Sequence, residues 1–232
     1  MAADPLIFDA DDTLWDEQAT LQAFEREIAA IVTRIAGPQS DFIARFLEAE
    51  ERNIPHIGYG FASYTYSLAE TLSAFPEYPH LREDVLGAYR GLYDRLANEP
   101  PPLFPGVQET LGELHRRGHR LFVLTRGIPG EQKHKLDLSG LASFFEDVRI
   151  VQRKDARAFY GLCHDHGLDP ARTTMIGNSL RSDIHPALKA GLSAIWIPAE
   201  TPWQHDAAAE PPPAGAQRIT RFADLVKALA PA

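Results

Sequence analysis

Two aspartates two residues apart, Asp9 and Asp11, follow a short apolar run at residues 6–8, and Thr13 follows two residues later. A buried strand that stops at acidic residues places its carboxyl end at polar chemistry. If the chain leaves strand geometry after Asp9, both carboxylates can enter one pocket, with Thr13 holding the turn through a bond to its backbone. Polar groups recur after later apolar runs: Thr125 and Arg126 after 121–124, Lys154 after 148–151, and Gly177-Asn178-Ser179 with Asp183 after 173–176. Paired carboxylates suit nucleophilic and acid/base work. Facing a phosphoester they need neutralising, which a hard cation such as Mg²⁺ does with one or two carboxylates, substrate phosphate and waters.

The elements that must position these groups alternate. After residue 100, helical patterns and apolar runs follow one another, with helices near 107–114, 155–166 and 180–190 and a last run at 194–197. Such alternation predicts an α/β fold with a doubly wound parallel sheet, Rossmann-like, whose ligands bind beyond the carboxyl ends of its strands. The strands at 121–124 and 148–151 are expected to be buried. Between residues 16 and 100 the spacing is helical instead, with four helices at about 20–36, 42–47, 68–75 and 81–96, and a Gly- and Tyr-rich stretch at 54–66 between the second and third. The expected domains are therefore 1–15 with 101–232 as the catalytic core, and 16–100 as an inserted helical unit. Residues 199–217, rich in Ala and Pro, read as an extended surface loop; residues 222–229 read as a final helix.

The segments "IFDADDTLW", "VLTRG", "KDARAF" and "MIGNSLRSDIHPALKAGL" together resemble the four ordered motifs of the haloacid dehalogenase-like superfamily, in its phosphatase branch with a helical cap. The resemblance implies that Asp9 is a nucleophile forming an aspartyl-phosphate, with Asp11 as acid and then base. It implies Thr125, Arg126 and Lys154 as the groups that bind the phosphoryl oxygens. It assigns Mg²⁺ to Asp9, the backbone carbonyl of Asp11, Asn178 and Asp183, and makes the insert a lid that excludes water and selects substrate. Two positions depart from the family pattern. Asn178 stands where an aspartate is usual, which predicts weaker Mg²⁺ binding, and Asp12 stands where glycine is common; Asp12 is left outside the predicted site. A phosphotransferase or phosphomutase on the same fold, and a catalytically weak protein that binds phosphate or a metabolite, are the alternatives.

Other side chains receive plainer readings. Lys133 and Lys135 lie in a charged helical stretch and are expected to be solvated. Tyr59, Phe61, Tyr64 and Tyr66 of the insert either shape a substrate pocket or pack its helices, and Trp15, where the insert begins, is open to a packing role as much as to a functional one. The histidines show no zinc-ligand pattern. In 232 residues the formal charge is −9, which argues against nucleic acid as a partner and for a small phosphorylated metabolite. The lone Cys163 reads as a small packing residue, in keeping with a reducing compartment. With no basic leader and no apolar run of about 18 residues, the expectation is a cytoplasmic protein without membrane attachment, monomeric or homodimeric.

Overall fold

The computed structural model describes residues 3–199 and 213–230. The chain divides into two compact units, Met1–Gln18 with Pro101–Ala232, and Ala19–Pro100.

The first unit is built on six parallel strands: β1 (Leu6–Phe8), β2 (Leu121–Arg126), β3 (Asp147–Val151), β4 (Thr174–Gly177), β5 (Ser193–Trp196) and β6 (Ala216–Arg218). Their order in the sheet is β3-β2-β1-β4-β5-β6, so the order in which strands are added reverses between β1 and β4, the crevice where doubly wound sheets hold ligands. Residues of period two divide between the faces. Leu6, Phe8, Leu121, Val123 and Ile176 pack on one side with Val107, Leu111, Leu114 and Phe222. Ile7, Phe122, Leu124 and Met175 pack on the other with Phe159, Leu162, Cys163 and Ala187. The helices that cover these faces are α5 (Val107–Arg116), α6 (Pro129–Ser139), α7 (Ala156–Asp165), α8 (His185–Lys189) and α9 (Leu225–Ala228). Each fully buried Leu, Ile or Phe contributes about 1.5–3 kcal/mol, and β1 is Leu-Ile-Phe throughout while β2 opens Leu-Phe-Val-Leu.

Two expectations fail at the sheet edges. β3 is half-buried along its length, because an edge strand has a neighbour on one side only. The expected loop at 199–217 ends in strand β6, whose polar Ala-Gln-Arg sequence carries no period to reveal it; residues 200–212 of that stretch lie outside the described residues.

In the second unit, and in the two residues that lead into it, every described element is helical: α1 (Glu17–Ala36), a 3₁₀ turn at Pro38–Ser40, α2 (Phe42–Ile57), α3 (Phe61–Ser73) and α4 (Tyr78–Asn98). Phe24, Ile28, Val32, Phe46, Leu68, Leu81 and Val85 are among the side chains of its own apolar core. The Gly- and Tyr-rich stretch at 54–66, expected between the second and third helices, is mostly part of them. Only Gly58-Tyr59-Gly60 breaks it, with positive φ of 95° and 124° at the two glycines, while Tyr64 turns inward and meets Phe46 edge-on at 5.1 Å. Among the described residues no helix is long and apolar enough to cross a membrane.

Candidate active site

The polar groups that follow β1, β2, β3 and β4 lie at one edge of the sheet. Asp9 extends β1: its N–H donates to the Ile176 carbonyl of β4 at 2.9 Å. The chain then turns sharply. Leu14 N–H donates to the Ala10 carbonyl at 2.8 Å and Asp12 N–H to the Trp15 carbonyl at 2.8 Å. Asp12 is left-handed at φ 60°, a conformation in which glycine is at ease and aspartate is among the few tolerated side chains. Its carboxylate accepts the Gln18 N–H in the first turn of α1 at 3.0 Å. Burial nonetheless pushes its pKa up to about 8, with the charges of Asp11, Glu17 and Asp9 adding to the shift.

Lys154 lies between β3 and α7, just before Asp155, whose side chain caps that helix by accepting from Arg157 and Ala158 N–H. With 1% of its side chain exposed, Lys154 donates to Asp9 Oδ1 and, at 2.7 Å, to Asp183 Oδ1. One ammonium thus joins two buried carboxylates carried by different strand ends. Burial, followed by the Asp183 charge, pushes Asp9 up to about 6 against the pull of Lys154, while the two carboxylates raise Lys154 above its ordinary value despite its burial. The ammonium stays charged at any working pH.

Asp183 is fully buried because of how the last motif folds. After β4, Ser179 caps a π-helical turn at Leu180–Ile184 by accepting the Ser182 N–H, and this wide turn carries Asp183 back under the strand end. Its Oδ2 accepts the Ser179 N–H at 2.9 Å. The approach requires Gly177: a Cβ there would lie 2.7 Å from the Asp183 Cβ and closer still to its carboxylate. Single π turns of this kind recur at functional sites.

The Thr13 N–H donates within the turn, to the Ala10 carbonyl at 3.2 Å, but its hydroxyl does not bond the turn's backbone as the sequence suggested. Its hydroxyl donates to Asp9 Oδ2 at 3.0 Å and lies 3.2 Å from Asn178 Oδ1, so one hydrogen serves two acceptors and draws both oxygens together. Thr125 lies in β2, two residues beyond the Phe8 to Val123 pairing, buried, with its hydroxyl 3.4 Å from the Arg126 carbonyl. Arg126 ends β2, half-buried. The Asp9 carboxylate and the Asn178 amide oxygen are hard donors. Magnesium, which asks for one or two carboxylates with further oxygen from substrate and water, matches that set. Among the described residues no three His, Cys, Asp or Glu side chains form a cage, and magnesium needs none.

Asp11 has a different set of partners, and here the sequence reading is corrected. Lys135, expected in solvent, has 14% of its side chain exposed and donates to Asp11 Oδ1 at 2.6 Å and to Glu17 at 3.3 Å. Trp15, fully buried, does more than pack: its indole N–H donates to Asp11 Oδ1 at 2.7 Å. Gln132 Nε2 donates to Asp11 Oδ2 at 2.6 Å. Burial opposes ionisation of Asp11, but the charge and hydrogen bond of Lys135, with the bonds from Gln132 and Trp15, outweigh it and hold the carboxyl below its usual range. The available signal was spacing: Gln132 and Lys135 are three apart, on one face of a helix. Lys133, by contrast, is exposed.

The comparisons with known proteins point the same way. The family model for haloacid dehalogenase-like hydrolases matches residues 4–191. A phosphoserine phosphatase of Thermus thermophilus is 35% identical over 101 residues, 41% of this chain and 41% of that one, so the match spans under half of either. A glyceraldehyde 3-phosphate phosphatase of Methanopyrus kandleri is 27% identical over 199 residues, 83% of this chain and 82% of its own. Among solved structures, a haloacid dehalogenase-like family hydrolase from Xanthomonas campestris superposes with a TM-score of 0.75 at 26% identity, over 98% of this chain and 92% of that one. By its matched motifs, its sheet order and the convergence of its strand-end carboxylates, the chain belongs to the haloacid dehalogenase-like hydrolases.

Proposed function

We propose that the chain is a Mg²⁺-dependent phosphatase that hydrolyses a phosphomonoester of a small metabolite through an aspartyl-phosphate on Asp9. The observation that carries this reading is the buried Asp9, Lys154 and Asp183 cluster at the β1 and β4 strand ends. A carboxylate cannot approach an anionic phosphate unless nearby positive charge offsets the repulsion, and an ammonium already paired to Asp9 supplies part of it. The similarity to chains named as phosphatases supports the same reaction class.

In the first step an Asp9 oxygen bonds to phosphorus as the ester oxygen departs, taking a proton from Asp11. In the second, Asp11 removes a proton from water as the water oxygen bonds to phosphorus, releasing phosphate and restoring Asp9. The ionised Asp11 held by Lys135 is the form the second step uses, and the proton it takes from water there is the one it passes to the leaving group of the next turnover. Thr125 and Arg126 at the end of β2, with Lys154, bind the phosphoryl oxygens. Asp9, the Asp11 carbonyl, Asn178 and Asp183 would hold Mg²⁺, which when bound neutralises phosphate and carboxylate charge. Asn178 contributes an oxygen without a charge, so affinity for the ion is expected to be modest. The helical unit inserted in the sequence between the first two motifs acts as the substrate-selecting cap.

The test is phosphate release from p-nitrophenyl phosphate with Mg²⁺ and with EDTA. Activity is expected only with the ion, and Asp9→Asn is expected to lower kcat at least about a thousandfold. Wild-type rates in Asp9→Asn, or in EDTA, would end this reading.

A further inference from the structure

Asp11 is gripped more completely than an acid/base group in solvent would be, and the grip is uneven. An ionised carboxylate oxygen has about two acceptor directions. Oδ1 receives both Trp15 Nε1 at 2.7 Å and Lys135 Nζ at 2.6 Å, and is filled. Among the described residues Oδ2 receives Gln132 Nε2 alone, at 2.6 Å, and keeps one direction open.

Gln132 is itself built into place. Its Nε2 also donates to the Arg126 carbonyl at 2.9 Å, so the two hydrogens of one amide tie the Asp11 carboxylate to the loop after β2. The reverse orientation of the amide would set its oxygen against two acceptors, which fixes the assignment. Gly127 makes room for it: at φ +135° it lies in a region that L side chains rarely adopt, and a Cβ there would approach Gln132 Nε2 to 3.0 Å and its Cγ to 3.1 Å. The cost is visible at the other end of the amide, where Oε1 is buried with no partner among the described residues. A buried unsatisfied acceptor costs about 1–3 kcal/mol. Stability alone would not select such a residue.

Lys135 lies one turn along α6 from Gln132 and is shared between Asp11 and Glu17, so its charge is balanced on both sides and its side chain has little freedom.

We propose that Lys135 and Gln132 are positioning residues for proton transfer: together with Trp15 they occupy three of the four acceptor directions of Asp11 and leave one, on Oδ2, for the proton passed to the leaving group. The proposal rests on Asp11 being the acid/base of the reaction proposed above. Neither residue touches the phosphoryl group; both act through Asp11.

A leaving-group series separates this role from simple support of the fold. Wild type, Lys135→Met, Lys135→Arg and Gln132→Met would be assayed with Mg²⁺ on p-nitrophenyl, p-chlorophenyl and phenyl phosphate, reading kcat/KM, which reports events up to formation of the aspartyl-phosphate. The better the leaving group, the less it needs a proton. For Lys135→Met the loss is expected to be a few-fold on p-nitrophenyl phosphate and about a hundredfold on phenyl phosphate, since positioned acid catalysis is worth about 10²–10⁴. Gln132→Met should show the same trend more weakly, and Lys135→Arg should restore much of the wild-type dependence. In an Asp11→Asn background Lys135→Met should add almost nothing. Equal losses across the series, or a full further loss in the Asp11→Asn background, overturn the proposal. Should Lys135→Met fail to fold, Gln132→Met alone decides, with the same two outcomes. If wild type hydrolyses none of the three esters, or Asp9→Asn matches it, the parent reaction has failed. If those controls hold and only the series is flat, the positioning role alone has failed.

Discussion

Both units of this chain bury carboxylates, but lysines accompany them in one unit and not in the other. In the α/β unit lysines join two pairs of acids, Lys154 with Asp9 and Asp183 and Lys135 with Asp11 and Glu17, while Asp12 beside them is pushed up to about 8. In the helical unit Glu25 and Glu50 share an apolar interior with Tyr64, and residues 19–100 contain no lysine at all. Burial, and then the charge of Glu25, pushes Glu50 up to about 7, and burial likewise raises Glu25. Asp11 is held low instead. The lesson is that depth alone does not fix the charge of an acid. A buried carboxylate held by an ammonium and two further donors, as Asp11 is, remains an anion available for chemistry, whereas burial and like charge prevail at Asp9 and Glu50 and raise both.

The strongest way to break the contrast is to give the α/β unit the environment of the helical one. Lys154→Met leaves two buried carboxylates uncompensated. Activity on p-nitrophenyl phosphate should fall about a hundredfold to a thousandfold, and urea unfolding should show a loss of about 3–5 kcal/mol, the usual penalty for removing one partner of a buried pair. A stability change under about 1 kcal/mol would mean that the lysine is not what keeps Asp9 and Asp183 tolerable.

A smaller effect comes from moving one carboxylate while keeping its charge. Gly177→Ala forces Asp183 away from the strand end, at a cost of about 1–3 kcal/mol for overpacking. Because a displacement near 1 Å can cost about a hundredfold in rate, kcat should drop by about ten- to a hundredfold while the chain remains folded by circular dichroism.

The helical unit gives the smallest effect and a definite sign. The pKa of Glu50 is higher folded than unfolded, so the stability it confers is complete below the unfolded value near 4.5 and is lost as pH rises through about 7. Glu50→Gln removes that titration. Relative to wild type the variant should gain on the order of 2–3 kcal/mol between pH 5 and pH 8, read by urea unfolding of the full chain at the two pH values. A parallel pH dependence in both proteins would show that Glu50 ionises freely.

How much of this was legible in the sequence depends on where a residue stands relative to a strand end. Asp9, Thr125, Lys154 and Asp183 could be singled out because each follows or closes an apolar run, and a parallel sheet brings such positions to one edge. Lys135 and Gln132 sit inside a helix of mixed charge, where the default for lysine is solvent. Their burial is set by Asp11, a residue more than a hundred positions away, and no local pattern encodes that. Residue 12 is a similar case: an aspartate in place of the usual glycine is explained only once its positive φ is seen. β6 escaped because an edge strand with exposed side chains has no apolar period, and β3 was taken as buried because its valines and isoleucine alternate no differently from those of a central strand.

The salt links at the ends of β1, β3 and β4 bear on assembly as well as on reactivity. A slip of one residue between β1 and β4 would carry Asp9 about 3.3 Å along the sheet and turn it to the opposite face, out of reach of Lys154 and leaving an ammonium and a carboxylate stranded in the interior. Misregistered pairings would thus be penalised by their own orphaned charges. The same three side chains proposed to transform a phosphate ester would also proofread the alignment of the strands that carry them.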